Sequence, residues 1–187
     1  MNNNYKQEDG DIFKGLVAGI VGGLAASLVM NKFQAVWSEI SESLESSKSN
    51  GSKEKSGKDE KSGKGKEKQE PATVKAAEAI AENVFGHELT KKEKKYAGPA
   101  VHYATGAGSA AVYGVAAELF PEVTLAAGLP FGAAVWLIVD EGAVPALGFS
   151  KSPLEYPPST HAYALVSHLV YGLSTEIVRR AVRRALD

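Results

Sequence analysis

The chain has 187 residues, 44% apolar and 23% charged, with a net charge of −1. That length argues for one domain, and near-neutrality leaves no basic footprint for nucleic acid. The absence of cysteine excludes disulfides, iron–sulfur clusters, thiolate metal sites and cysteine nucleophiles.

The averages conceal a segregation of charge. Residues 37–95 hold 13 Lys and 12 acidic residues of the 43 charged side chains, whereas 15–31, 96–117, 124–139 and 156–175 hold none. A bilayer core about 30 Å thick needs about 20 apolar residues of helix, and irregular backbone cannot face lipid. The pattern therefore predicts an all-α polytopic membrane protein with four transmembrane helices. The first runs over 12–36, within an N-terminal unit of residues 1–36. Asp9 and Asp11 precede it where a signal peptide is positive, and Asn31-Lys32-Phe33-Gln34 is a poor cleavage site, so it is read as retained.

Residues 37–70 are expected to be a hydrophilic tether. Within it, 45–70 contains 8 Lys, 6 acidic residues, 6 Ser and 4 Gly, and no apolar side chain offsets the entropy of ordering it. An amphipathic helix follows over 71–95, with Val74, Ala77, Ala81, Val84, Phe85 and Leu89 near one face and Lys75, Glu78 and Glu82 on the other. It either covers the end of the bundle, the preferred reading, or lies on a membrane surface or partner. Residues 96–187 then form a three-helix membrane bundle with an Arg-rich tail. Its spans are 99–120, 123–147 with a kink at Pro130, and 159–178.

Association of helices in lipid relies on small residues that let backbones approach. Gly15, Gly19, Gly23 and Ser27 recur every four residues in the first span; Gly106, Ala110 and Gly114 do so in the second; Gly128 and Gly132 mark the third. The spacing leaves open whether the pairs form within one chain or between subunits. The length of the first ridge leads us to expect a homo-oligomer built on it.

The C-terminal half carries Val115-Ala116-Ala117-Glu118-Leu119-Phe120-Pro121, then Gly128-Leu129-Pro130-Phe131-Gly132-Ala133, Ser167-His168-Leu169-Val170-Tyr171-Gly172 and Glu176-Ile177-Val178-Arg179-Arg180. Over residues 97–184 it resembles the YagU-like family of bacterial inner-membrane proteins of unknown function. The resemblance implies a helical bundle in the bacterial cytoplasmic membrane and supplies no catalytic residue; the 45–70 tether departs from the family pattern.

Ionisable groups at membrane depth are costly and therefore mark functional hypotheses. His102, Glu118, Asp140, Glu141, His168 and Glu176 are the candidates for a polar path. His161 and His168 share a face of the fourth span, and His161 is read as interfacial and structural. For His168, possible partners are Tyr113 and Asp140 or Glu141. A hydroxyl or backbone carbonyl is favoured, with Asp140-Glu141 expected toward the opposite end of the bundle. No phosphate loop, Ser-His-Asp order or zinc motif is present, so no catalytic residue, metal or cofactor is assigned and no enzyme is expected.

Arg179, Arg180, Arg183 and Arg184 place the C-terminus inside and are expected to meet anionic lipid headgroups. Lys91, Lys92, Lys94 and Lys95 pull the first loop the same way, but the rule weakens for long loops, so both termini are read as cytoplasmic. Two function classes follow. A membrane-organising bundle that self-associates is preferred; a small proton- or ion-linked transporter or channel is the alternative, favoured if the polar candidates converge on one cavity.

Overall fold

The computed structural model describes the backbone of residues 2–50 and 70–187, with side chains for 11–43 and 70–187. All regular structure among these residues is helical. Helix α1 (Asn2–Asn50) is 49 residues long, or about 73 Å at helical rise. It therefore continues through 37–50, where the sequence suggested the tether; residues 51–69 of that tether lie outside the described residues. Helix α2 (Ala72–Phe85) ends at Gly86, whose φ of 62° belongs to the left-handed region that glycine adopts freely.

Helix α3 (Lys91–Leu119) absorbs 91–95, which the sequence had assigned to the amphipathic helix. A capping box starts it. The Glu93 amide donates to Thr90 Oγ1 at 3.4 Å, and the Thr90 amide donates to Glu93 Oε2 at 2.7 Å. Those bonds hold the Glu93 carboxyl below its usual range, with backbone and side chain of Thr90 the leading causes.

The third predicted span is broken near its start rather than one continuous helix. Pro121–Gly128 forms a tight 3₁₀ connection in which Ala126 and Ala127 take φ of 52° and 54°. Helix α4 (Leu129–Val135) follows, and Pro130 sits in its first turn, where a missing amide costs nothing, so it starts a helix rather than kinking one. A π-helical segment, Trp136–Ala143, and a last turn, α5 (Val144–Ala146), continue it. A 3₁₀ turn at Pro153–Glu155 leads into α6 (Pro158–Ala185).

Two stretches, Asp11–Ser43 and Pro121–Ala146, are long and apolar enough to cross a membrane. Helices α3 and α6 have the length, at 29 and 28 residues, but charge gathers at the start of α3 and the end of α6.

The α1, α3, α4-to-α5 and α6 stretches alternate in direction, and small residues make the seams. A Cβ on Gly19 would strike the carbonyl oxygen of Ala110; one on Gly23 would lie 2.5 Å from that of Gly106, and one on Gly15 would lie 2.7 Å from that of Gly114. As α1 numbers rise α3 numbers fall, so this pair is antiparallel. Gly22 on the neighbouring row of α1 faces the Thr175 carbonyl of α6. In a second seam Gly128 and Gly132 pack on α6, with a Cβ on Gly132 meeting the carbonyl of His168 and one on Gly172 meeting that of Gly128. The Gly15/Gly19/Gly23/Ser27 ridge is thus consumed inside one chain. Its four-residue spacing matches the small-residue row of α3. Tyr171 closes the centre by donating to the Gly106 carbonyl at 2.6 Å.

Helix α2 packs along α3, with Val74 against Gly98 and Ala77 and Ala81 buried. Its Val84 and Phe85 remain exposed.

Candidate functional site

The polar candidates divide between two ends of the bundle. At one end, where Asp11 of α1, Glu118 of α3 and Asp187 meet α6, charges pair with one another. Glu176 is 1% exposed. Arg179 Nε and Nη2 donate to its carboxylate at 2.7 and 3.0 Å, and Arg180 Nε does so at 2.5 Å. Arg179 also lies 3.5 Å from Glu118, and Arg183 bridges Glu118 at 3.1 Å and Asp11 at 3.0 Å. Lys14 reaches Asp187 at 3.1 Å, and Arg183 pairs with the same carboxylate. These two cations hold the Asp187 carboxyl below its ordinary range, Arg183 foremost.

Glu118 and Glu176 are therefore partners of arginines, apart from the other polar-path candidates. The arginine tail is also corrected in part. Arg179 is buried and Arg183 half-buried against carboxylates of the bundle, because α6 continues past the expected end of the span; Arg180 and Arg184 stay exposed.

At the other end a cavity of about 450 Å³ is bounded by α1, α2, α3, the π-helical segment, the following loop and α6. His102, Asp140, Glu141, His161 and His168 all line it. Three local features deliver them. Helix α3 carries His102 a little over three turns from its start, and the successive carboxylates Asp140 and Glu141 ride on the widened π turn. Such turns insert an extra residue into a helix and are frequent at functional sites. His161 and His168 lie two turns apart on α6.

The hydrogen bonds fix much of the charge. His161 Nδ1 lies 2.6 Å from Glu141 Oε1, and its Nε2 lies 3.0 Å from the Pro153 carbonyl. The ring bridges Glu141 and the Pro153 carbonyl, and a protonated His161 donates to both. His168 Nδ1 donates to the Ala164 carbonyl at 2.9 Å and stands 3.7 Å from Asp140 Oδ2. The carbonyl partner matches the expectation for His168. The position of Asp140 does not, since it shares the His168 end of the bundle.

The His102 Nε2 and Ser27 Oγ atoms are buried without a hydrogen-bond partner, and both residues line the cavity. The Asp140 carboxyl, its side chain 41% exposed, faces His168 Nδ1 at 3.7 Å, beyond hydrogen-bond distance, and no lysine or arginine among the described residues pairs with it. Among the described residues no three His, Asp or Glu side chains are placed to hold a metal ion.

A family model described as a protein of unknown function, DUF1440, matches residues 68–177. The chain belongs to this family. No curated protein and no solved structure matches it. The DUF1440 match contains the five His, Asp and Glu side chains of the cavity together with Glu118 and Glu176, while α1, which supplies Ser27 and Met30 to the cavity wall, precedes it. Sequence reasoning left His161 out of the polar path and saw Ser27 only as a packing residue. A Glu-to-His pairing across a short loop was the available signal for the first; nothing in the sequence flagged the second. Asp11, which anchors Arg183, had been read only as evidence against a signal peptide.

Proposed function

We propose that this chain is a YagU-like integral protein of the bacterial cytoplasmic membrane, with four spans and both termini cytoplasmic, that binds and passes a proton or small cation through the cavity of His102, Asp140, Glu141, His161 and His168. The observation that carries this reading is the convergence of these groups on one cavity, with an Asp140 carboxyl that no lysine or arginine among the described residues pairs. A bundle serving only to organise the membrane would gain by filling that volume with side chains, since protein interiors pack closely. An ionisable residue at membrane depth that is not neutralised belongs to a path for charge or substrate.

Four spans are supported by apolar side chains exposed along every long helix: Leu24 and Leu28 on α1, Val112 on α3, Leu137 and Ile138 in the π segment, Leu173 and Ile177 on α6. Termini on one side agree with the Arg183–Asp11 and Lys14–Asp187 pairs, which join the start of α1 to the end of α6. No enzymatic chemistry is proposed.

The membrane-organising reading draws on the two glycine seams and the buried ion pairs, which make a rigid bundle. A flux assay decides between the readings. Proteoliposomes loaded with a pH-sensitive dye and given a valinomycin-clamped potential should acidify faster than protein-free vesicles. Asp140→Asn should abolish this excess, His168→Gln should lower it, and exposed Glu122→Gln should leave it unchanged. No flux above empty vesicles, or full flux in Asp140→Asn, returns the protein to the organising class.

A further inference from the structure

We propose that the cavity is a binding site for a primary amine: an ammonium head carried on an apolar body. The inference rests on the reading of this cavity as a ligand path and names the substrate class it selects. Three observations converge on it. The acidic groups of the wall meet only histidine, Glu141 bonding His161 and Asp140 facing His168 at 3.7 Å, and among the described residues neither pairs with a lysine or arginine. Lys151, the remaining lysine or arginine of the lining, is exposed to solvent.

The second observation concerns the orphaned polar atoms. Ser27 is 1% exposed and its hydroxyl oxygen is buried without a partner, as is Nε2 of His102. Buried polar groups without partners are costly, and such groups in a native cavity call for a ligand or solvent that completes them. A carboxylate, a hydroxyl oxygen and a neutral imidazole nitrogen are all acceptors, and a primary ammonium offers three donors and the missing positive charge. A divalent metal ion fits poorly, since it needs a closely grouped donor set that the described residues do not provide.

The third observation is size and wall chemistry. A bare proton needs no volume, whereas about 450 Å³ accommodates a ligand of many heavy atoms. Val135, Val139, Val144, Phe149 and Tyr156 supply the apolar side of the wall, where a hydrocarbon or aryl body is buried favourably.

The test uses the full chain in nanodiscs of phosphatidylcholine, with 2-phenylethylammonium as probe and 2-phenylethanol as its neutral counterpart, titrated calorimetrically at neutral pH. The amine should bind saturably and at least tenfold more tightly than the alcohol. Asp140→Asn should weaken it at least tenfold and Ser27→Ala a fewfold, with thermal unfolding verifying that both variants fold. Equal binding of amine and alcohol, or undiminished binding in folded Asp140→Asn, overturns the proposal. A repeat with one third phosphatidylethanolamine identifies the source: displacement of the probe assigns the site to a lipid amine, undisturbed binding to a soluble one, and either keeps the ammonium recognition. If the amine fails while Asp140-dependent proton flux persists, the substrate class falls and the transport reading stands.

Discussion

The seam between α1 and α3 offers a sharp perturbation in Gly19→Ala. The added methyl would meet the Ala110 carbonyl oxygen, with the Ala110 carbonyl carbon at 3.0 Å and the Ala111 Cα at 3.1 Å. All three obstacles are helical backbone, so no rotamer change relieves the clash and the helices must separate. Separation also opens the neighbouring contacts of Gly15 with Gly114 and Gly23 with Gly106, and a gap of about 0.5–1 Å forfeits a quarter to a half of each dispersion contact. Overpacking of this kind costs about 1–3 kcal/mol. Replacing glycine by alanine inside a helix returns up to about 1 kcal/mol. The net expectation is a loss of about 1–2 kcal/mol. Gly108 on α3 is the matched control, because a Cβ there meets nothing within 4 Å, so Gly108→Ala should gain up to about 1 kcal/mol from propensity alone. Unfolding by SDS in dodecylmaltoside micelles, followed by the fluorescence of Trp37 and Trp136, measures both. Gly19→Ala at or above the stability of Gly108→Ala would refute the close-approach argument.

Other expectations follow from the charged end and the helix start. Arg179→Met leaves Glu176 buried with only the half-exposed Arg180 against it, and breaking a buried pair costs about 3–5 kcal/mol; the double variant with Glu176→Gln should recover most of that loss in the same unfolding assay. Arg180→Met, at the exposed side of the same carboxylate, should cost under about 1 kcal/mol. At the start of α3 the folded-state pKa of Glu93 is depressed, so its capping contribution is fully present above the unfolded value and is lost as pH falls through the lowered one. Amide exchange at 91–95, normalised for intrinsic rate, should therefore rise in acid, and Glu93→Gln should remove that pH dependence.

The elements were legible in the sequence to the extent that spacing alone encodes them. Gly15, Gly19, Gly23 and Ser27 recur at the helical period, so one helix face was readable; which helix lies on it depends on register, which spacing does not contain. The segment before Leu129 was misread because Thr124–Gly128 is as apolar as a span, while the left-handed Ala126 and Ala127 have no turn signature. Asp140 was misplaced for a different reason. Alternating spans joined by a short loop put the end of the third beside the start of the fourth, so the neighbourhood of His161 and His168 was implied by topology rather than by motif. The arginines of α6 showed only their charge in the sequence; Glu118 stands 65 positions before Arg183, and only the parallel alignment of α3 with α6 brings them together.

The π segment is where fold and site meet, and a deletion can separate them. In a regular α-helix Asp140 and Glu141 would stand 100° apart about the axis; here both sit in the widened turn of Trp136–Ala143 and both line the cavity. The flanking residues Val135 and Val144 both keep ordinary α-helical dihedrals. One inserted residue accounts for such a segment, so deleting Gly142, which is exposed, should restore a plain α-helix while leaving the Gly132–His168 seam and the Val144–Phe149 turn in register. The expected cost in SDS unfolding is small, since the seam with α6 is untouched and a regular hydrogen-bond ladder replaces the widened one. The cavity should change more than the stability: the 2.6 Å bond between Glu141 and His161 should be lost, and binding of 2-phenylethylammonium should fall at least tenfold. A deletion variant that unfolds would instead make the π turn part of the packing. A stable one that binds the amine as well as the parent chain would remove the site from Asp140 and Glu141.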